Sequence, residues 1–262
     1  MPAPAKSFAA QITEVAAVID LSNSLTAPLK TAIDKLLQSA AEAVGSAVAS
    51  VLVRDGNEGG LKFLTATSGV TDELLALRLP PGAGIAGLVL STDQPMAVAD
   101  VSQEGSFWSE ADRRTGFKTV TLLATPLRSN NEMVGVLEFV NRPGEPPYPA
   151  FTPTEMDHAA RFAEPIARLV DIYEMAQLVE TLFNRSVKDM LTTSPGDESA
   201  AKSLRQWLEE NTLAGTHRDL ATLWISIHEI VLRGDAERQL CRDLLQTLAR
   251  FTEKRSSSSF GF

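Results

Sequence analysis

The sequence predicts an α+β fold, in which an antiparallel sheet carries helices that precede and follow it in the chain. Between about residues 47 and 142, runs of β-branched residues are separated by Gly, Asn and Pro, which is typical of short strands joined by turns. Apolar residues recur at helical spacing from Ile33 to Val44, and the pattern after residue 152 is almost entirely helical. Strands in the middle with helices at both ends indicate that the helices cover one face of the sheet.

The elements before and within the sheet follow from local signals. Two helices are predicted at the start of the chain, with a break near Asn23 and Ser24 and an end at Gly45. A short helix is predicted over residues 86–90, and residues 128–132 connect the last two strands as a hairpin. Five strands are recognisable, over residues 47–54, 61–67, 96–99, 119–127 and 133–140.

A long helix is predicted to begin near residue 153, where several start signals coincide. Thr152 is a suitable N-cap, Pro153 suits the first helical position, and Glu155 completes a capping box. Phe151 and Met156 are placed to form a hydrophobic staple around the same turn. The apolar face then continues to about residue 183, a length that favours a helix pair or a coiled-coil dimer.

The breaks in these patterns divide the chain into five predicted parts. A polar stretch at residues 192–197 separates the long helix from three shorter helical stripes. The predicted parts are an N-terminal helical segment (1–29), an α+β domain (30–172), a connector helix (173–193), a small all-α unit (194–255) and a tail (256–262).

Composition excludes several classes of partner. The chain has 24 Lys and Arg against 33 Asp and Glu, a net charge of −9, and such an acidic surface repels nucleic acid and anionic membranes. No apolar run is long enough to span a bilayer. A single cysteine excludes an internal disulfide, and three scattered histidines give no metal cluster. We therefore predict a cytoplasmic protein with no metal, nucleic-acid or membrane partner.

Residues 82–87 match the formal pattern G-x-G-x-x-G, which would suggest dinucleotide binding. That fingerprint requires a hydrophobic strand leading into the first glycine and a full helix after the last one. Here Pro80 and Pro81 precede the glycines, and the helix that follows is too short for a parallel crossover. The spacing therefore does not predict a dinucleotide site.

The same stretch, residues 81–89, followed by Asp100, resembles the central signature of GAF domains. Later pieces occur in the order of that family across residues 30–172, including the Gly135-Val136-Leu137 stretch in the second hairpin. The resemblance implies a six-stranded antiparallel sheet with terminal helices on one face and, on the other, a lid that encloses a small-molecule pocket. The residues that match the family motif are Gly82, Gly84, Gly87, Asp100, Asn141, Arg142, Phe151 and Glu155.

Members of that family that bind cyclic nucleotides carry the pattern Asn-Lys … Phe-x-x-x-Asp-Glu. In this chain Arg142 replaces the lysine, Glu155 replaces the aspartate, and Met156 stands where glutamate is expected. The capping box and the staple already account for Phe151 and Glu155 without a ligand. These departures favour a structural role for the motif. A bound cyclic nucleotide stays open as an alternative, and no other cofactor is predicted.

The segment that would form the lid contains an aromatic pair beside two arginines. Such a group is suited to stack on a base and to neutralise a phosphate. In the alternative interpretation, the aromatic side chains fill an empty pocket and the arginines lie in solvent. The candidate ligand-binding residues are Phe107, Trp108, Arg113, Arg114, Phe117, Thr119 and Thr121.

No catalytic residues are predicted. The resemblance implies that sulfoxide-reducing members of the family need cysteines within the domain, whereas Cys241 lies in the last predicted helix. We therefore expect a sensory or regulatory protein rather than an enzyme, one that binds a small molecule and signals through its helices to a partner protein. The alternative is a ligand-free scaffold for dimerisation and protein interaction. A homodimer and an unidentified partner at the C-terminal helices are expected.

Overall fold

The structure is a computed structural model that describes residues 8–56, 59–67, 72–192, 206, 219, 221–227, 230, 236–237 and 239–247, without the side chains of residues 8–25 and 183–192. The chain divides into two compact units. One comprises Asp20–Gln177, and the other comprises Met1–Ile19 together with Leu178–Phe262. Each is described by itself.

The first unit contains a six-stranded sheet in which every pair of neighbouring strands is antiparallel, in the order β3-β2-β1-β6-β5-β4. This confirms the predicted fold class. The elements are α1 (Phe8–Val44), β1 (Val48–Asp55), β2 (Gly60–Ala66), α2 (Asp72–Ala76), β3 (Arg78–Leu79), α3 (Gly84–Thr92), β4 (Met96–Val98), a 3₁₀ turn (Val101–Gln103), α4 (Glu110–Thr115), β5 (Leu122–Ser129), β6 (Glu132–Val140) and α5 (Pro153–Thr192).

The two faces of the sheet carry different side chains, because successive residues of a strand point to opposite sides. On β6, Leu137 and Phe139 pack on the face covered by α1 and α5. Val136, Glu138 and Val140 lie on the opposite face. The helix-covered core includes Ile33, Leu37, Val51, Leu123, Ile166 and Val170. The opposite core includes Leu52, Leu61, Ile85, Val89, Val101 and Leu122.

The hairpin between β5 and β6 closes with a turn of two residues, shorter than the connection that the sequence predicts. Asn130 and Asn131 have φ angles of 49° and 67°. Asparagine tolerates this left-handed region better than most residues do, and two such residues in succession match a type I′ turn. Ser129 and Glu132 therefore pair directly across the turn, and both strands reach further towards the turn than predicted. At its other end, β5 begins at Leu122, three residues later than predicted.

Helix α1 is continuous through Asn23 and Ser24, so the predicted break between two helices is wrong. Each of these residues disfavours a helix interior by only about 0.5 kcal/mol relative to alanine. The turns that follow are anchored by a buried apolar face, and such packing supplies most helical stability in proteins. Strand β3 was not recognised either, because two residues are too few to show alternation.

The start of α5 confirms the predicted capping box. The Thr152 N–H donates to the Glu155 carboxylate at 2.7 Å, and the Glu155 N–H donates to the Thr152 hydroxyl at 3.4 Å. Phe151 is buried, and Met156 packs against the same core, as a hydrophobic staple requires. The helix continues through Pro165 to Thr192.

In the second unit, Leu178 and Leu182 of α5 pack with Ala221 and Trp224. The described positions 221–227 and 239–247 are helical, and Cys241 is a buried free thiol. The predicted tail and most of the predicted boundary at residues 192–197 lie outside the described residues. Within the part of the chain that the structure describes, none of the helices combines the length and apolar character needed to cross a membrane.

Candidate functional site

A cavity of about 340 Å³ lies on the face of the sheet opposite α1 and α5. The strands β1, β2 and β6 form its floor, and the segment 107–119, which includes α4, covers it as a lid. This volume is at the lower end of the range of about 300–1,000 Å³ that is usual for small-molecule sites. Apolar side chains dominate the lining, among them Phe63, Leu79, Ile85, Phe107, Trp108 and Phe117.

The floor carries an acidic side chain in otherwise apolar surroundings. Glu138 lies in the middle of β6, where its cross-strand neighbours are Ser50 on β1 and Ala124 on β5. It is only 9% exposed, and within the described residues its carboxyl has no hydrogen bond or ion pair. Burial raises the pKa of Glu138 to about 7, because the charged form loses its hydration without gaining a partner.

A second acid, Asp112, joins two parts of the lid segment. Both carboxylate oxygens of Asp112 accept hydrogen bonds from Thr119, one from its backbone N–H at 2.8 Å and one from its hydroxyl at 2.7 Å. Asp112 and Thr119 both line the cavity, and this contact joins α4 to the segment that precedes β5. The hydrogen-bonding capacity of Asp112 is therefore largely used within the lid itself.

The glycines of the family motif shape the start of α3, where Gly84 lines the cavity. Gly84, at the start of α3, has a φ of 72°, and a Cβ there would lie 3.1 Å from the Cβ of Trp108. A Cβ at Gly87 would lie 2.5 Å from the carbonyl carbon of Gly82, which no side chain can tolerate without a backbone shift. These glycines permit α3 to approach its own entry turn and the lid closely.

Asn141 fixes the segment that leads into β5. Its side-chain oxygen accepts hydrogen bonds from the N–H groups of Val120 and Thr121, at 2.8 and 3.1 Å. Its side-chain amide donates to the carbonyl of Lys118 at 2.8 Å. Asn141 itself has a φ of 54°, a conformation that asparagine adopts more readily than most residues. It thus acts as a structural clamp beside the sheet.

Arg142 joins the end of α1 to the start of α5. Its guanidinium makes a bidentate contact with Glu155, at 2.8 and 2.6 Å, and donates to the carbonyls of Val44 and Gly45 at 3.0 and 3.2 Å. The guanidinium also lies 4.3 Å from the centroid of the Phe151 ring. The hydrogen bonds from Arg142 are the main reason that the pKa of Glu155 falls to about 2.

The predicted ligand-binding residues fall into two groups. Four of them line the cavity: Phe107, Trp108, Phe117 and Thr119. Arg113 and Arg114 do not line it; both pair with Glu110, and their side chains are 71% and 60% exposed. Thr121 is fully buried outside the lining, and its hydroxyl is unpartnered among the described residues.

The motif residues divide in a similar way. Of the predicted set, Gly84 lines the cavity, whereas Asn141, Arg142, Phe151 and Glu155 do not. Asp100 accepts a hydrogen bond from the N–H of Ser102 at the 3₁₀ turn. Across the described residues, no cluster of three His, Cys, Asp or Glu side chains is placed to hold a metal ion.

Four polar residues of the cavity lining were not predicted from the sequence: Ser50, Asp112, Thr115 and Glu138. The signal for Glu138 was present, because it is a single charged residue within the apolar run of β6. Strand alternation alone places it on one of two faces, but only the tertiary structure shows which face has the cavity.

A sheet with helices on one face and a lidded cavity on the other is the architecture of a small-molecule-binding sensory domain. The profile of the GAF domain family matches residues 26–171, which is more than half of the chain. The chain therefore belongs to the GAF domain family.

Curated relatives match over short stretches. A dual 3′,5′-cyclic-AMP and -GMP phosphodiesterase 11 of Drosophila melanogaster is 34% identical over 67 residues, which are 25% of this chain and 5% of the phosphodiesterase. A cGMP-specific 3′,5′-cyclic phosphodiesterase of Drosophila ananassae is 31% identical over 77 residues, 29% of this chain and 6% of that enzyme. The chain thus matches a small fraction of the length of these relatives.

Solved structures are similar at low identity. The GAF domain of a phosphoenolpyruvate-protein phosphotransferase from Coxiella burnetii has a TM-score of 0.48 and 19% identity, covering 62% of this chain and 92% of that one. A type II free methionine-R-sulfoxide reductase from Thermoplasma acidophilum has a TM-score of 0.47 and 17% identity, covering 57% and 96% of the two chains.

Proposed function

We propose that this protein is a cytosolic sensor that binds a small molecule in the cavity under the lid and is not itself an enzyme. The observation that carries the proposal is the cavity of about 340 Å³, whose walls are apolar and whose floor holds a buried polar group. Such a combination is the usual composition of a ligand site, in which apolar walls supply affinity and a few polar groups supply orientation.

The lid provides a route from ligand to signal. The aromatic side chains of Phe107 and Trp108 belong both to the lid and to the core on the cavity face. A ligand that contacts them stabilises the closed lid and thereby raises the fraction of molecules in which the lid is closed. We propose that this shift reaches α5, which continues as a single helix to Thr192, and is read by a partner protein.

Ligand screening by thermal unfolding tests this function. The full chain is heated with nucleotides, cyclic nucleotides, amino acids, small acids and small amines. A ligand present at 100 times its Kd stabilises the fold by about 2.7 kcal/mol. For a chain of this size, we expect the midpoint of unfolding to rise by roughly 5–10 °C. If no compound in these classes shifts the midpoint, the proposed function is wrong.

The variant Trp108→Ala is expected to weaken the binding of any ligand found in that screen by at least tenfold. A ring that lines a small cavity contributes about 2 kcal/mol or more to affinity, and each 1.4 kcal/mol corresponds to a factor of ten. Arg113→Ala is the matched control, because Arg113 pairs with Glu110 in solvent and should leave affinity unchanged. Calorimetric titration measures both, and equal effects of the two variants would contradict the location of the site.

A second candidate function is a ligand-free dimerisation scaffold, and it is favoured by apolar side chains in the second unit. Leu240 and Leu244, four residues apart on one helical face, are 60% and 56% exposed. We propose that a second copy of this chain packs against this helical face. Sedimentation analysis should show a dimer that the double variant Leu240→Glu/Leu244→Glu converts to a monomer. An unchanged mass would exclude this face as the contact.

A further inference from the structure

The cavity floor presents an acid that no group of the described protein neutralises. Glu138 is more than nine-tenths buried, and its carboxyl faces the cavity without a hydrogen bond or an ion pair. Ser50, the cross-strand neighbour of Glu138 on β1, also lines the cavity and makes no hydrogen bond to Glu138. Burying an acid in this way costs several kcal/mol unless it is neutralised, and a fold carries such a cost chiefly at functional sites.

The charges that line the cavity have the same sign among the described residues. There, Glu138 on β6 and Asp112 on α4 are the titratable residues of the lining, and none of the described lining residues is a Lys, Arg or His. Each oxygen of Asp112 already accepts a hydrogen bond from Thr119, whereas the carboxyl of Glu138 has no partner among the described residues and is the acid most open to a ligand. In a site of low dielectric, this arrangement attracts a cation and repels an anion.

The walls fit an apolar body next to that charge. The rings of Phe63, Phe107, Trp108 and Phe117 surround the cavity from both the sheet and the lid. Aromatic rings bury flat apolar groups efficiently and also attract cations through their faces. Both the walls and the floor therefore favour the same type of molecule.

We propose that the cavity binds an organic cation, a small molecule with a protonated amine on a flat apolar body, whose N–H groups donate to the carboxylate of Glu138. The proposal deepens the ligand-binding function above and depends on it. A competing feature is the start of α3, where the N–H groups of Gly84, Ile85 and Ala86 lack intrahelical acceptors beside the cavity. An anion bound there is the alternative that the experiment must separate.

Three probes of the same size separate these chemistries: phenethylamine, a cation; 2-phenylethanol, which is neutral; and phenylacetate, an anion. Each is titrated into the full chain at pH 8 and followed by calorimetry and ligand-observed NMR. We expect phenethylamine to bind at least tenfold more tightly than 2-phenylethanol, and phenylacetate to bind most weakly. Tighter binding of phenylacetate, equal binding of all three, or no binding of phenethylamine would overturn the proposal.

The variant Glu138→Gln tests the role of the charge while it keeps the size of the side chain. It should reduce phenethylamine affinity at least tenfold and leave 2-phenylethanol affinity within twofold. Glu132→Gln, on the same strand but outside the cavity, is the control and should change neither. Unchanged phenethylamine affinity in Glu138→Gln would overturn the proposal.

The pH dependence gives an independent readout. Phenethylamine binding to the native chain should strengthen as pH rises from 6 to 8, because Glu138 loses its proton there, and should be flat in Glu138→Gln. A flat profile in the native chain would count against the ion pair. If phenethylamine does not bind while a compound of another class raises the midpoint of unfolding in the thermal screen, the cation proposal fails and the ligand-binding function stands.

Discussion

Replacing Arg142 with alanine is expected to lower the free energy of unfolding by about 3 kcal/mol. The side chain is 12% exposed, and its removal takes the ion-pair partner from Glu155, which keeps only its hydrogen bonds from Thr152. The carbonyls of Val44 and Gly45 also lose the guanidinium donor. A hydrogen bond to a charged group contributes about 1.5–3 kcal/mol, and Arg142 makes several; Glu155, whose side chain is 23% exposed, recovers part of the loss from water. Chemical denaturation of the native chain and the variant, followed by circular dichroism, measures the difference.

The control for this prediction is Arg168→Ala on α5, the helix that carries Glu155. Arg168 pairs with Glu164 at 2.7 Å, but the side chains are 70% and 69% exposed. Exposed pairs with a spacing of four residues contribute about 0.3–0.5 kcal/mol. A loss in Arg142→Ala no greater than that in Arg168→Ala would show that the contact between α1 and α5 does not stabilise the domain.

The ion pair between Arg142 and Glu155 also makes the stability of the protein depend on pH in acid. Because the pKa of Glu155 is lowered to about 2 from its ordinary 4.5, its contribution to stability is present above pH 4.5 and is lost as pH falls towards 2. In Arg142→Ala this part of the acid dependence should largely disappear. The comparison therefore separates the ion pair from a general packing defect.

Replacing Glu138 with glutamine is expected to stabilise the protein above neutral pH, by up to about 3 kcal/mol. The folded pKa of Glu138 is raised to about 7 from 4.5, so the folded state holds its proton more tightly than the unfolded state does. The contribution of Glu138 to the free energy of unfolding is therefore fully present below pH 4.5 and is lost progressively as the pH rises to 7. Glutamine does not ionise, and it avoids that loss.

The test is the difference in unfolding free energy between Glu138→Gln and the native chain from pH 4.5 to 8. This difference should grow with pH by up to about 1.4 kcal/mol per unit and become constant above pH 7. Glu132→Gln, where the side chain is exposed, should give a flat difference. A flat difference for Glu138→Gln as well would mean that its carboxyl is solvated. The expected gain in unfolding free energy agrees with the general trade-off in which residues placed for binding lower the stability of the fold.

Much of the fold was predictable because its signals are local. The capping box of Thr152 and Glu155 depends on residues three positions apart, and the structure confirms it. Helix α1 shows the limit of such signals, since Asn23 and Ser24 do not end it. Their weak preferences are outweighed by the packing of the turns that follow, which a local pattern does not contain.

The candidate site was predictable only in part. Phe107 and Trp108 were found because aromatic residues in the lid segment are conspicuous in the sequence. Arg113 and Arg114 were equally conspicuous, yet they pair with Glu110 outside the cavity lining. Sequence position does not fix which way a short helix turns its side chains, and α4 turns these two towards solvent.

The α+β class, the order of most strands and helices, and the membership of the GAF domain family follow from the amino-acid sequence, because alternation, capping and motif order are all readable along the chain. That Arg142 joins two helices and that Glu138 lies on the floor of a cavity became visible in the folded chain. Both roles depend on groups brought together from distant segments. Burial and charge pairing arise only once those segments meet.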